Sequence, residues 1–356
     1  MTGSLAERVL AGDSRAIARA ISLIEDEDAA AAELVRAIFG RTGRAYLIGV
    51  TGPPGAGKST LVDRLITNLK KPQRPQSTQS PAADDLAAVA APSPVCSFSW
   101  SSIGVIAVDP TSPFTGGAVL GDRLRMQAHS SDEGVFIRSM ATRGHLGGLA
   151  RATGDAALVL DAAGKDIVNI ETVGVGQDEV DIIRTADVSI VTLVPGTGDE
   201  VQALKAGIME IADIFVVNKA DREGAERLVS AVEANLALHN YDSSEWRPPI
   251  VKTVATTGQG VPELVETIAR FRAHSLGVQA SRRKSRSEYR LRELVSHRFM
   301  EYLERQVLAA GELGAIVERI AAREVDPYSA ANDLLSRAVQ SGNQLANSPI
   351  TRLPNS

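Results

Sequence analysis

Residues 45–69 read AYLIGV, then TGPPGAGK, then STLVDRLITNL, an apolar run, a turn of glycine and proline, and a helical pattern. Within it Gly52-Pro53-Pro54-Gly55-Ala56-Gly57-Lys58-Ser59 matches G-x-x-x-x-G-K-[ST], with Thr60 following. Such a segment works only between a strand and the start of a helix. Its glycines let successive backbone N–H groups close around phosphate oxygens at the helix N-terminus. Lys58 is placed to reach the β- and γ-phosphates, and the Ser59 hydroxyl to ligate Mg²⁺. The motif therefore restricts the chain to an α/β P-loop NTPase fold.

The rest of the sequence supplies the sheet. YLIGV, IGVIAVD, DIVNIET, VSIVTLV, DIFVVN and IVKTVAT are short apolar runs separated by helical stretches. That alternation predicts a mostly parallel sheet covered by helices. Ahead of it Leu5, Val9, Ile17, Ala20, Ile21, Ile24, Leu34, Val35 and Ile38 follow helical spacing, with a break at Gly12-Asp13. Behind it Leu291, Leu294, Val295, Phe299, Tyr302, Leu303 and Val307 mark one face of a long helix. Two further helices are expected, near 313–322 and in DPYSAANDLLSRAV, the latter N-capped.

The expected organisation is a helical appendage over 1–43, a nucleotide-binding domain over 44–272, a C-terminal helical arm over 273–340 and a tail over 341–356. Residues 71–102, rich in proline and small polar residues, read as a disordered insertion. The basic cluster Arg282 to Arg286 reads as a solvated linker.

Composition narrows the partners. A net charge of −5 lacks the basic footprint that binding a phosphate backbone requires. The single cysteine, Cys96, precludes an internal disulfide or a multi-cysteine zinc site. The N-terminus lacks the layout of a signal or transit peptide, and no apolar stretch approaches the roughly 18 residues of a membrane span. A cytoplasmic protein that binds neither nucleic acid nor membrane is expected.

Asn218-Lys219-Ala220-Asp221 follows the run DIFVV and has the form N-K-x-D. An aspartate there can accept from both the ring N1–H and the exocyclic amine of guanine. Adenine has no such donor pair and would leave the carboxylate unpaired, a strong basis for discrimination. The stretch TVATTGQG, through Val254, Ala255 and Thr256, would complete the base pocket, with the Ala255 backbone near the guanine O6. Carboxylates at strand ends suit Mg²⁺: Asp109, Glu171 and, in a glycine-rich loop, Asp122. Glu171-Thr172-Val173-Gly174 occupies the place of a D-x-x-G switch, where Gly174 can sense the γ-phosphate. Val175 follows it in place of the water-orienting glutamine of Ras-type enzymes. Slow hydrolysis is expected, aided by Gln177 or by a partner. Arg143 and His145 are secondary candidates.

GVTGPPGAGKSTL, VDPTSPFTGGAVLGDRLRM, SMATRGHLGGLA, ETVGVGQDEVDI, PGTGDEVQALKAGIMEIADIFVVNKAD and TVATTGQGVPEL together resemble the MeaB/ArgK family of P-loop GTPases, over nearly the whole of residues 4–337 outside the insertion. The resemblance implies a GTPase chaperone that gates adenosylcobalamin delivery to methylmalonyl-CoA mutase, or a related acyl-CoA mutase, and protects or reactivates it. It also implies a magnesium site of Ser59, Asp109, Asp122 and Glu171, a further switch over Pro195 to Gly207, and a homodimer built on the C-terminal helices. A kinase linked to amino-acid transport stays open as the alternative. A metal-insertion GTPase would carry histidine- or cysteine-rich tracts, and five His and one Cys offer none.

Overall fold

The computed structural model describes residues 3–70, 100–109, 129, 131–141, 148–172, 185–196, 208–242 and 244–346. The chain divides into two compact units, one ending at Arg282 and the other beginning at Arg283.

The first unit is built on a sheet of β1 (Tyr46–Thr51), β2 (Ile103–Asp109), β3 (Val135–Ala141), β4 (Ile167–Glu171), β5 (Val188–Leu193), β6 (Ile214–Asn218) and β7 (Ile250–Thr253). Every pairing is parallel and the order is β3-β2-β4-β1-β5-β6-β7. Six of these strands coincide with the apolar runs read from the sequence. The seventh, β3, lies at an edge, and its sequence VFIRSMA interrupts the apolar run with Arg138 and Ser139. The Arg138 guanidinium pairs with Glu25 and donates to the Ser22 hydroxyl at 3.1 Å, so the interruption is a tie to a neighbouring helix.

The first unit also holds α1 (Leu5–Leu10), α2 (Ser14–Glu25), α3 (Ala29–Ile38), α4 (Lys58–Leu69), α5 (Gly148–Ala162), α6 (Ala225–Leu236) and α7 (Val261–Ser275). One sheet face, through Ile48, Val50, Ile167 and Ile190, packs on Leu61, Leu65 and Ile66 of α4 and on Leu264, Ile268 and Phe271 of α7. The other is split: α6 covers Val191, Phe215 and Val217, while α1, α2, α3 and α5 cover Ile106, Val108, Val168 and Ile170.

The N-terminal helices are therefore a layer of the domain itself, and this corrects the appendage reading. The predicted break is where it was expected: Asp13 caps α2 by accepting from the Arg15 and Ala16 N–H groups. The insertion needs a correction at its end. Residues 71–99 lie outside the described residues, but Trp100 is buried in the core and the Ser101 and Ser102 N–H groups both donate to Asp166 at 3.0 Å.

The second unit contains most of α8 (Gln279–Tyr302), a π-helical turn (Leu303–Val307), α9 (Glu312–Ala321) and α10 (Pro327–Ala346). The basic cluster is helical rather than a linker. Arg282, the last residue of the first unit, donates to Asp213 at 3.2 Å and lies over the Phe271 ring. The capping of α10 is as expected, with Asp326 accepting from the Tyr328 and Ser329 N–H groups. Because α10 runs to Ala346, the expected tail begins six residues too early. Among the described residues no helix is long and apolar enough to cross a membrane.

Candidate functional site

Strand β1 lies between β4 and β5, so the sheet order reverses direction beside it. Open α/β sheets bind ligands at such a switch point, beyond the carboxyl ends of the strands. Here the carboxyl end of β1 runs straight into the glycine loop and the N-terminus of α4. Gly52 has φ +139°, and a Cβ on it would lie 2.0 Å from the Thr192 carbonyl oxygen on β5. Gly57 has φ +85°, and its Cβ would lie 2.6 Å from the Asn218 amide nitrogen. Both positions need glycine, for conformation and for room.

Within the loop the Lys58 ammonium donates to the carbonyls of Gly52 at 2.7 Å and Pro53 at 3.2 Å. It thus lies back across residues 52–53, where phosphate oxygens can replace the carbonyls. The Ser59 hydroxyl donates to Glu171 Oε1 at 2.6 Å, and both residues are buried. Glu171 ends β4 opposite Val50 of β1 and Ala107 of β2, and Asp109 ends β2 two residues beyond Ala107. Behind them the Thr172 hydroxyl donates to that of Thr51 at 2.9 Å, joining the ends of β4 and β1.

Hard oxygen donors on a helix N-terminus and a strand end suit a small divalent cation such as Mg²⁺. Among the described residues no three His, Cys, Asp or Glu side chains converge. Ser59 and Glu171 are the part of the expected magnesium set whose side-chain geometry is defined. Asp122, Gly174 and Gln177 lie outside the described residues, as do Val175, Arg143, His145 and most of the expected switch over 195–207.

The two segments expected to read the base meet the same loop. The Asn218 amide donates to the Ala56 carbonyl at 2.8 Å, while its Oδ1 accepts from the Thr253 hydroxyl and the Ala255 N–H, both at 3.1 Å. Lys219 takes a left-handed backbone, φ +55°, and its ammonium donates to the Gly55 carbonyl at 2.7 Å. Asp221 is exposed at the rim, Val254 and Ala255 are buried, and Thr256 is exposed. In this arrangement the Ala255 backbone, expected near the guanine O6, has its N–H engaged by Asn218.

Arg64 of α4, which no motif singled out, donates to the carbonyls of Ala255 at 3.2 Å and Thr256 at 2.8 Å. Sequence spacing carried no signal for it. The contact spans 191 residues and ends on backbone atoms, which have no sequence identity to read.

A family model described as "Methylmalonyl Co-A mutase-associated GTPase MeaB" matches residues 17–74 and 99–307. A Pyrococcus abyssi protein named "Putative GTPase" is 47% identical over 96% of this chain and 98% of its own length. The GTPase ArgK of Escherichia coli is 33% identical over 74% of each chain. The crystal structure of an LAO/AO transport system kinase superposes with a TM-score of 0.64 at 23% identity, covering 94% of this chain and 96% of that one. At that identity it shows the shared fold alone.

Proposed function

The chain belongs to the MeaB family of methylmalonyl Co-A mutase-associated GTPases, and from that membership we propose that it is a GTP-hydrolysing chaperone gating adenosylcobalamin delivery to a methylmalonyl-CoA mutase and protecting or reactivating that mutase. The nucleotide half of the reading rests on one observation. Asn218 joins the loop at Ala56 to the base-reading segment at Thr253 and Ala255, so phosphate and base are gripped by one connected structure. The mutase half rests on the family description.

In this reading the N–H groups of Gly52 and of residues 55–60 hold the phosphates, Pro53 and Pro54 having none to give, and Lys58 leaves its loop carbonyls to neutralise the β- and γ-oxygens. Ser59 and Glu171, with Asp109 and Asp122, would hold Mg²⁺. The ion supplies charge neutralisation to the phosphates during transfer to water. Glu171, which here accepts from the Ser59 hydroxyl, would be among the residues that hold the ion, and Gln177 orients the attacking water. With Val175 in the place of the Ras-type glutamine, the unaided rate is slow and a partner raises it. Asp221 and the segment over Val254, Ala255 and Thr256 select guanine.

Loss of the γ-phosphate contact at Gly174 is then the signal passed to the mutase through the switch over Pro195 to Gly207, in a homodimer built on the C-terminal helices. The test is to purify the chain with the mutase of its source organism. GTP and GDP are expected to support different mutase binding, cofactor transfer and inactivation rates; identical behaviour in the two nucleotides overturns the reading. Transfer of labelled γ-phosphate to an amino acid or a protein would favour the kinase alternative instead.

A further inference from the structure

Arg64 lies six residues beyond Lys58 on α4, and its guanidinium holds two consecutive carbonyl oxygens of the base-reading segment. A fork on two acceptors fixes direction as well as distance. The effect reaches the N–H groups through the geometry of the peptide. In a trans peptide the C=O of one residue and the N–H of the next point in opposite directions, and no peptide bond here is cis. Holding the Ala255 carbonyl against α4 therefore turns the Thr256 N–H away from α4.

The neighbouring donors are already in use. The Val254 N–H donates to the Gln259 carbonyl, those of Thr257 and Gly258 to the Val254 carbonyl, and that of Ala255 to Asn218. Among the described residues the Thr256 N–H has no acceptor. A donor one residue beyond the Ala255 N–H that Asn218 engages suits an oxo group and opposes an amino group. The 6-position of guanine and the 6-position of adenine differ in that respect.

We propose that Arg64 is a specificity-positioning residue, which by gripping the Ala255 and Thr256 carbonyls presents the Thr256 N–H to the 6-oxo group of the bound base. The proposal rests on the guanine reading of the pocket and adds which N–H reads the oxygen and what aims it.

The test uses the full chain and compares kcat/KM for GTP and for 6-thio-GTP, which keeps the N1–H and 2-amino groups but offers a weak acceptor at position 6. In R64A the GTP value is expected to fall about tenfold, the upper order carried by one neutral hydrogen bond. The fall should lie mainly in KM, with the 6-thio-GTP value nearly constant, so that the preference between the two narrows about tenfold. R64K keeps the charge and one donor and should narrow it less; it carries the same test if R64A does not fold. An unchanged ratio, or equal losses on both nucleotides, overturns the proposal and leaves Arg64 a structural tie. D221N measured in parallel with GTP and XTP separates the two layers. If D221N fails to shift preference toward XTP, the guanine pocket itself is misassigned. If it shifts and R64A does not narrow the ratio, the Arg64 proposal alone fails.

Discussion

Asn169 stands in the middle of β4, fully buried, and neither atom of its amide has a hydrogen-bond partner among the described residues. A buried amide without partners costs about 1–3 kcal/mol. Its register neighbour on β1 is Ile48, a core residue, so a branched aliphatic side chain fits the position. Asn169→Val is expected to stabilise the protein by about 1 kcal/mol, seen as a higher urea midpoint with an unchanged slope; a lower midpoint refutes the account. Gly52 makes the opposite case. Gly52→Ala drives a Cβ into the Thr192 carbonyl, and the β1–β5 pairing should lose about 3 kcal/mol, measurable by the same titration. Two kinds of residue differ here in what a sequence can disclose. Gly52, Lys58 and Ser59 were legible because their spacing follows a local pattern, G-x-x-x-x-G-K-[ST], that lies within one strand–turn–helix. Arg64 and the orphaned amide of Asn169 were not, because their meaning depends on partners brought near only by folding.

At the scale of elements, the helices α9 and α10 are joined by a two-point pair. Arg337 donates to Glu312 Oε1 at 2.6 Å and Oε2 at 3.0 Å, and also to the Val307 carbonyl at 3.1 Å. Arg337 holds the Glu312 carboxyl at about 2, below its ordinary 4.5. A lowered acid contributes stability fully present above 4.5 and lost as pH falls from there toward 2. Substituting Glu312→Gln should therefore lower the melting temperature of this helical unit near neutral pH, with the gap from wild type closing below pH 4.5. A gap independent of pH would show that the pairing is not the cause. Elements with unbroken apolar periodicity were legible, which is why six strands were found; the break at Gly12-Asp13 and the cap at Asp326 were legible from their turn and capping residues. Strand β3 was missed because Arg138 reaches Ser22 and Glu25 across another element. The start of α8 was missed because charge concentration around Arg282 resembles a linker when its partner Asp213 is unknown.

For the molecule as a whole, the sheet and its two covering layers close within the first unit, and every described part of the candidate site lies there. A chain ending at Arg282 is expected to bind GDP with affinity within about twofold of the full chain, as an independent compact unit should, while losing any self-association by sedimentation. A large loss of affinity would place part of the site in the second unit. Periodicity showed that the N-terminal helices had an apolar face, yet not that the face covers β2 and β4, since a stripe does not name what it packs on. The pairing of β1 carries one more consequence. Its neighbours β4 and β5 lie far downstream: Tyr46 is in register with Ile167, and Ile48 with Val188, 140 residues later. Ribosomes deliver about 5–20 residues per second, so a nascent chain spends about 7–28 s with its phosphate loop made but unsupported. Nucleotide can assist the birth of this protein only late, after most of the sheet has emerged.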